Sequence, residues 1–160
     1  EKDRFNENGK TLLKKSYRAI IIKGNQILLA YVGRFKDYRF PGGKIDSGET
    51  IEQGLKREVL EEVGGVVTSI TPYANIVTKN IENFNKNYDY FILDSYYYVC
   101  EIEDTLVEPN LDEDEIKDQF SRAWINVEDA LNANYTVLNG DNVSLVTQRE
   151  TRMLRLNMCE

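Results

Sequence analysis

The sequence predicts a single α/β layered domain, strands packed with helices on both faces. Two observations carry this. Short runs rich in Val, Ile, Tyr and Phe alternate with segments whose apolar residues recur every three or four positions. The 160 residues, 41% hydrophobic and 29% charged, also fit one domain with a real core. Residues 1–15 are expected to form an N-terminal extension and residues 16–160 the domain.

Taken in order, Tyr17 to Lys23 and Gln26 to Val32 read as strands joined at Gly24-Asn25, a two-residue hairpin signal. Tyr38 to Phe40 adds a short strand before Pro41-Gly42-Gly43 breaks it. Glycines there let backbone approach a ligand closely. Ser47 or Thr50 caps a helix that runs to about Val63, before the Gly64-Gly65 stop. Ile51, Leu55, Val59 and Val63 recur every four residues and are expected to face the core. Val66 to Thr78 and Tyr88 to Glu101 read as strands, the second long enough to be central, with polar residues 80–87 between them. An acidic loop, Glu108 to Asp118, precedes a strand at Ser121 to Asn126. Val127 to Asn132 and Val143 to Leu156 read as helices. Trp124 is expected in the core, and Tyr96-Tyr97-Tyr98 in the core and on the sheet surface rather than as a base-stacking platform.

The first of these helices carries Glu58, Glu61 and Glu62 at helical spacings that make them neighbours. Like charges so placed repel, and a hard divalent cation such as Mg²⁺, held by carboxylate oxygens, turns the repulsion into attraction. A cation site on the helix is therefore the first functional expectation.

Composition narrows the chemistry. The chain has no histidine, which removes Ser-His and Cys-His nucleophile pairs and His-based zinc sites. Cys100 and Cys159 are the only cysteines, have no metal-type spacing, and read as two reduced thiols, which points to the cytoplasm. A net charge of −7 argues against a nucleic-acid polymer as partner, but not against a small phosphorylated ligand bridged by a cation. No apolar run approaches the length of a membrane span, and the polar N-terminal residues do not read as a secretory signal.

The spacing of the acids extends into a longer pattern: Gly43, Glu49, Arg57-Glu58, Val59, Glu61-Glu62 and Gly64. It resembles the box of the Nudix hydrolase family, whose fixed residues recur by chance on the order of once in a billion windows. Gly65 departs from the pattern, standing where an apolar residue is usual. The resemblance implies an α/β/α sandwich with a mixed β-sheet. It implies hydrolysis of a nucleoside diphosphate linked to another group, with Mg²⁺ or Mn²⁺ as cofactor. Glu58, Glu61, Glu62 and the Gly43 carbonyl would be metal ligands, and Glu58 would take the proton from the attacking water. Arg57, a permanent cation, would orient a box glutamate. Lys44 would meet a substrate phosphate. Glu49 is a further candidate acid at the helix entrance, and Glu113 or Glu115 would add one from the acidic loop. Asn139 or Asn142 is a candidate for reading a purine edge.

Markers that some subfamilies carry after the box, a Pro for ADP-ribose enzymes and a later Tyr for dinucleoside polyphosphate enzymes, are absent here. The stretch PGGKIDSGET is similar to the MutT-like branch that removes oxidised guanine triphosphates. A nucleoside triphosphate, oxidised or not, giving monophosphate and pyrophosphate, is the expected substrate. An ADP-ribose or nucleotide-sugar pyrophosphatase is the alternative, and a non-catalytic nucleotide sensor the alternative of another class. Members of the family are often dimers, which leaves a homodimer open.

Overall fold

The computed structural model describes residues 9–80, 88–140 and 144–158. Strand β1 (Thr11–Ile20) leads into β2 (Ile22–Lys23), β3 (Gln26–Val32), β4 (Asp37–Arg39) and β5 (Gly42–Gly43). Helix α1 (Ile51–Val63) follows, then the long strands β6 (Val67–Asn80) and β7 (Tyr90–Ile102). The chain ends with α2 (Glu113–Lys117), β8 (Phe120–Asn126), α3 (Val127–Leu138) and α4 (Leu145–Met158). The polar link expected at 81–87 lies outside the described residues, as do Asn142 and Cys159.

Two sheets form, and the chain passes between them at Ile21. The run expected as one strand from Tyr17 to Lys23 divides there. β1 belongs to a mixed sheet of order β5-β1-β7-β6, and β2 to an antiparallel sheet in which β3 pairs with β2, β4 and β8. β1 begins at Thr11, so residues 11–15, expected in an extension, are strand and pair with β7. β1 and β7 run parallel from Thr11↔Tyr90 to Ile20↔Val99, and β7 is central, as its length predicts. Pro72 sits in β6, at the sheet edge, with the register shifting between Pro72 and Ala74. An edge position beside a bulge is where a residue without an N–H is tolerated.

Side chains alternate across the sheets, one set into each of two core layers. Ala19, Ile21, Leu28 and Ala30 pack with Leu55, Val59 and Val63 of α1. Ile20, Ile27, Leu29 and Phe40 pack with Ala130 and Leu131 of α3 and with Met153 and Leu154 of α4. The result is an α/β/α arrangement with a mixed sheet. Ile51, expected in the core, is exposed because it opens α1 beyond the sheet's reach. Trp124 is half-buried on β8 rather than core, with the Lys23 ammonium over its ring. Of the three tyrosines, Tyr97 is core, while Tyr96 is half-buried and stacks on Tyr17 at 5.3 Å.

Helix ends follow local chemistry. Thr50 and Gln53 form a reciprocal capping box at the start of α1. Gly64 closes it at φ 67°, and a Cβ there would meet the Val107 carbonyl at 1.8 Å. The departure at Gly65 also has a packing reason, since a Cβ would lie 3.0 Å from Val59 and 3.4 Å from Ile102. The acidic stretch is not all loop: Asp112 and Glu115 build a second capping box, which nucleates α2. α3 extends past its expected end, and its buried Asn134 holds both backbone groups of Tyr38, clasping the helix to β4.

Candidate active site

Three elements bring the box acids together: the acid-bearing face of α1, the Gly42-Gly43 edge of the mixed sheet, and α2. Gly42 adopts φ 148°, and a Cβ there would meet the Tyr17 carbonyl oxygen at 2.1 Å, so only glycine fits. The close approach aims the Gly42 N–H at the buried Glu62, whose Oε2 accepts it at 3.1 Å. A Cβ on Gly43 would stand 3.0 Å from Glu58 Oε1, so the absent side chain keeps that carboxylate beside the backbone.

Arg57 organises the outer acids. Its Nε and Nη2 donate to the two oxygens of Glu49 at 2.8 and 3.0 Å, a bidentate pair. Its Nη1 donates to Glu58 at 3.1 Å and to Glu61 at 3.3 Å, and Nη2 also reaches the Lys44 carbonyl at 3.2 Å. The orienting role expected of Arg57 is thus spread over three glutamates. Glu49 is consumed by Arg57 and by the Asp46 N–H at 2.8 Å, which hold its carboxyl below the usual range. Its place is in the scaffold.

Electrostatics separate the inner acids from the outer ones. Burial, with Glu115 and Glu58 nearby, pushes the Glu62 carboxyl well up despite the opposing pull of Arg18. Burial also raises Glu58, against the pull of Arg57. Glu115 acts on both groups, so α2 delivers this acid to the site, whereas Glu113 lies exposed. The loop is fixed to α1 by Asn110 N–H on the Glu61 carbonyl at 2.7 Å and Val107 N–H on the Gly64 carbonyl at 2.8 Å.

Among the described residues, no group of three or more Asp, Glu or Cys side chains is placed so as to hold a metal ion. The donor set still fits a hard divalent cation. It consists of oxygens only, it converges at a backbone edge cleared by glycine, and its like charges raise one another's proton affinity.

On the other side of Gly43 lies a cleft of about 660 Å³ that the sequence does not announce. Lys14, Lys15, Arg18, Lys44 and Arg149 line it, with no carboxylate among its lining residues. Lys44 sits where the acids and the cleft meet. Asn139 caps the exposed end of α3 and is not among the residues lining the cleft. Arg18 and Arg149 were missed because buried charge inside a strand or helix leaves no periodic signal.

The acid-bearing helix α1 thus lies against a glycine edge, beside a cleft lined by Lys14, Lys15, Arg18, Lys44 and Arg149. A family model, the NUDIX domain, matches residues 12–146. The chain belongs to the Nudix family. It is similar to the 8-oxo-dGTP diphosphatase of Haemophilus influenzae, 42% identical over 60 residues, which are 38% of either chain. It is also similar to that of Proteus vulgaris, 48% identical over 44 residues, 28% of this chain and 38% of the relative. The chain thus spans little more than a third of the curated relatives it matches. Among solved structures, a NUDIX hydrolase from Nitrosomonas europaea aligns with TM-score 0.62 at 17% identity, covering 92% of this chain and 90% of the other. The E. coli ORF135 protein aligns with TM-score 0.59 at 20% identity, covering 92% and 93%. A MutT structure, from work on Aliivibrio salmonicida and Vibrio cholerae, aligns with TM-score 0.51 at 21% identity, covering 74% and 82%. These structural likenesses establish the fold. No helix among the described residues is long and apolar enough to cross a membrane.

Proposed function

We propose that this chain is a divalent-cation-dependent pyrophosphohydrolase acting on a nucleoside triphosphate, releasing the monophosphate and pyrophosphate. The observation that carries it is the meeting of Glu58, Glu62 and Glu115 at the Gly42-Gly43 edge, directly beside a cation-lined cleft. Acids alone would repel a polyphosphate, and cations alone would bind it without turnover. The names of the partial relatives, 8-oxo-dGTP diphosphatases, support a purine triphosphate.

Glu58, Glu61, Glu62 and the Gly43 carbonyl would hold Mg²⁺ or Mn²⁺, with Glu115 completing the set. When bound, the cation neutralises phosphate charge and makes a water more acidic. Glu58 is the proton acceptor, since burial raises its basicity while Arg57 fixes its orientation. Glu62, anchored by the Gly42 N–H, ties the ligand set to the sheet edge. Lys44 offers a mobile positive charge to the phosphates at the mouth of the cleft.

The test is a panel of nucleoside triphosphates, ADP-ribose, dinucleoside polyphosphates and nucleotide sugars with Mg²⁺, reading the phosphate products. Release of pyrophosphate from a triphosphate supports the reading. Turnover of only ADP-ribose or a nucleotide sugar overturns the substrate, and tight binding without turnover of any member identifies a sensor.

A further inference from the structure

We propose that Arg18 and Glu150 are positioning residues of the hydrolase site, a tie from α4 that fixes residues 40–43 where Glu62 meets them. This deepens the hydrolase reading and rests on it. β5 has only two residues and pairs with β1 at Tyr17 and Arg18. So short a ladder is marginal alone, and side chains have to hold the edge.

Arg18 touches that edge twice. Its backbone pairs with Gly42, and its Nη1 donates to the Phe40 carbonyl at 2.7 Å. Beside it, the Ala19 N–H donates to the Pro41 carbonyl at 2.9 Å. β1 therefore holds the two consecutive carbonyls that precede Gly42. Pro41 has no N–H, so the next donor along the chain is that of Gly42, and it goes to Glu62 at 3.1 Å. The two bonds upstream set the direction of the third.

The guanidinium of Arg18 is itself held from α4. Its Nη1 lies 3.4 Å from Glu150 Oε1, on a fully buried side chain. Glu150 also accepts from Arg149 Nη2 at 3.0 Å and from the Tyr97 hydroxyl at 2.9 Å. Arg149 Nη1 in turn donates to Ser95 Oγ at 3.1 Å, and Ser95 accepts from Ser16 at 3.0 Å. Two cations share one carboxylate, which leaves positive charge over. Arg18 feels the negative charge of Glu150 and, less, that of Glu62 on α1. Buried ion pairs add little stability over apolar side chains of the same volume. This one adds direction, because groups that bind together must be held to within about 0.5 Å.

The test reads the edge first without metal and then with it. In the metal-free protein, amide hydrogen exchange is followed at Gly42 and at Leu28, whose N–H is bonded to the Ile21 carbonyl at 2.9 Å. Arg18→Met is expected to speed exchange at Gly42 by about 10-fold or more while Leu28 keeps its rate. Arg18→Lys, which retains a donor and the charge, is expected to restore part of the protection. Mn²⁺ affinity, read by electron paramagnetic resonance, is expected to weaken by about 10-fold in Arg18→Met. Glu150→Gln should move both readouts in the same direction. Equal acceleration at Gly42 and Leu28 marks a merely structural role and overturns the proposal, as does unchanged Mn²⁺ affinity. Arg18 also lines the cleft, so a rise in KM alone, with both readouts as in wild type, makes it a substrate contact and overturns the proposal too. If Arg18→Met does not fold, Glu150→Gln, which keeps an acceptor for Tyr97, decides on the same measurements. Should the wild-type protein hydrolyse no triphosphate, the hydrolase reading fails separately. Exchange at Gly42 then still decides whether Arg18 holds the edge.

Discussion

The Glu62 carboxylate accepts the Gly42 backbone N–H at 3.1 Å, which ties the last box acid of α1 to the sheet edge formed by Gly42 and Gly43. A side chain on Gly42 would collide with the strand behind it, so the bond depends on a residue that has none.

From this contact, Glu62→Gln is expected to lower turnover by orders of magnitude while the fold is retained. The amide oxygen still accepts from Gly42, but the charge that holds a cation is gone. Pyrophosphate release and thermal melting measure the two halves. Wild-type-like turnover would remove Glu62 from the ligand set.

Gly42→Ala is expected to be destabilising by about 2 kcal/mol or more, because it combines a collision with β1 and an unfavourable φ. The urea midpoint reads this directly. A shift near zero would mean the edge can retreat without loss.

Arg57→Gln releases Glu49, Glu58 and Glu61 together. Loss of such an orienting partner is expected to weaken apparent Mg²⁺ affinity or activity by about 10–100-fold. A Mg²⁺ titration of turnover separates this from a general loss of stability, which melts report.

Saturating Mg²⁺ is expected to raise the melting temperature, because cation binding favours the folded state in which the acids meet. At a hundred times the dissociation constant the gain is about 2.7 kcal/mol. Glu58→Gln should diminish the shift, and chelation should abolish it. Equal shifts in both proteins would place the cation elsewhere.

Cys100 gives a pH prediction away from the site. Burial pushes its thiol up to about 12, from an ordinary 9.0. Between those values the unfolded chain loses the proton and the folded chain keeps it, so stability falls as pH rises from about 9 toward 12. The thiol's share of the slope approaches about 1.4 kcal/mol per pH unit. Cys100→Val should flatten the stability profile by that share, measured by urea melts across the window. In the native protein at neutral pH, iodoacetamide should leave Cys100 unmodified.

How much was legible in the sequence depended on distance along the chain. The course of α1 was readable because its stop and most of its apolar stripe, Leu55, Val59 and Val63, are local signals, although the cap stayed open between Ser47 and Thr50 and Ile51 proved exposed. α2 carried a local signal too, in Asp112 and Glu115, but its acidity masked the capping box. The division of the first strand at Ile21 was not readable, since one apolar run serves either sheet. Nor was the cleft. Ser16, Ser95 and Arg149 meet only through the parallel pairing of β1 with β7 and the docking of α4, and no pattern within any one segment encodes that meeting.

The parallel pairing of β1 with β7 also sets an order in time. Thr11 finds its neighbour at Tyr90, and the cleft is closed by α4 at the far end of the described chain. Such distant contacts form slowly, because a long loop must be closed before any of them can be made. As the chain leaves the ribosome, α1 and its acids emerge long before Arg149, so the cleft that α4 helps to line is complete only when synthesis has passed that residue.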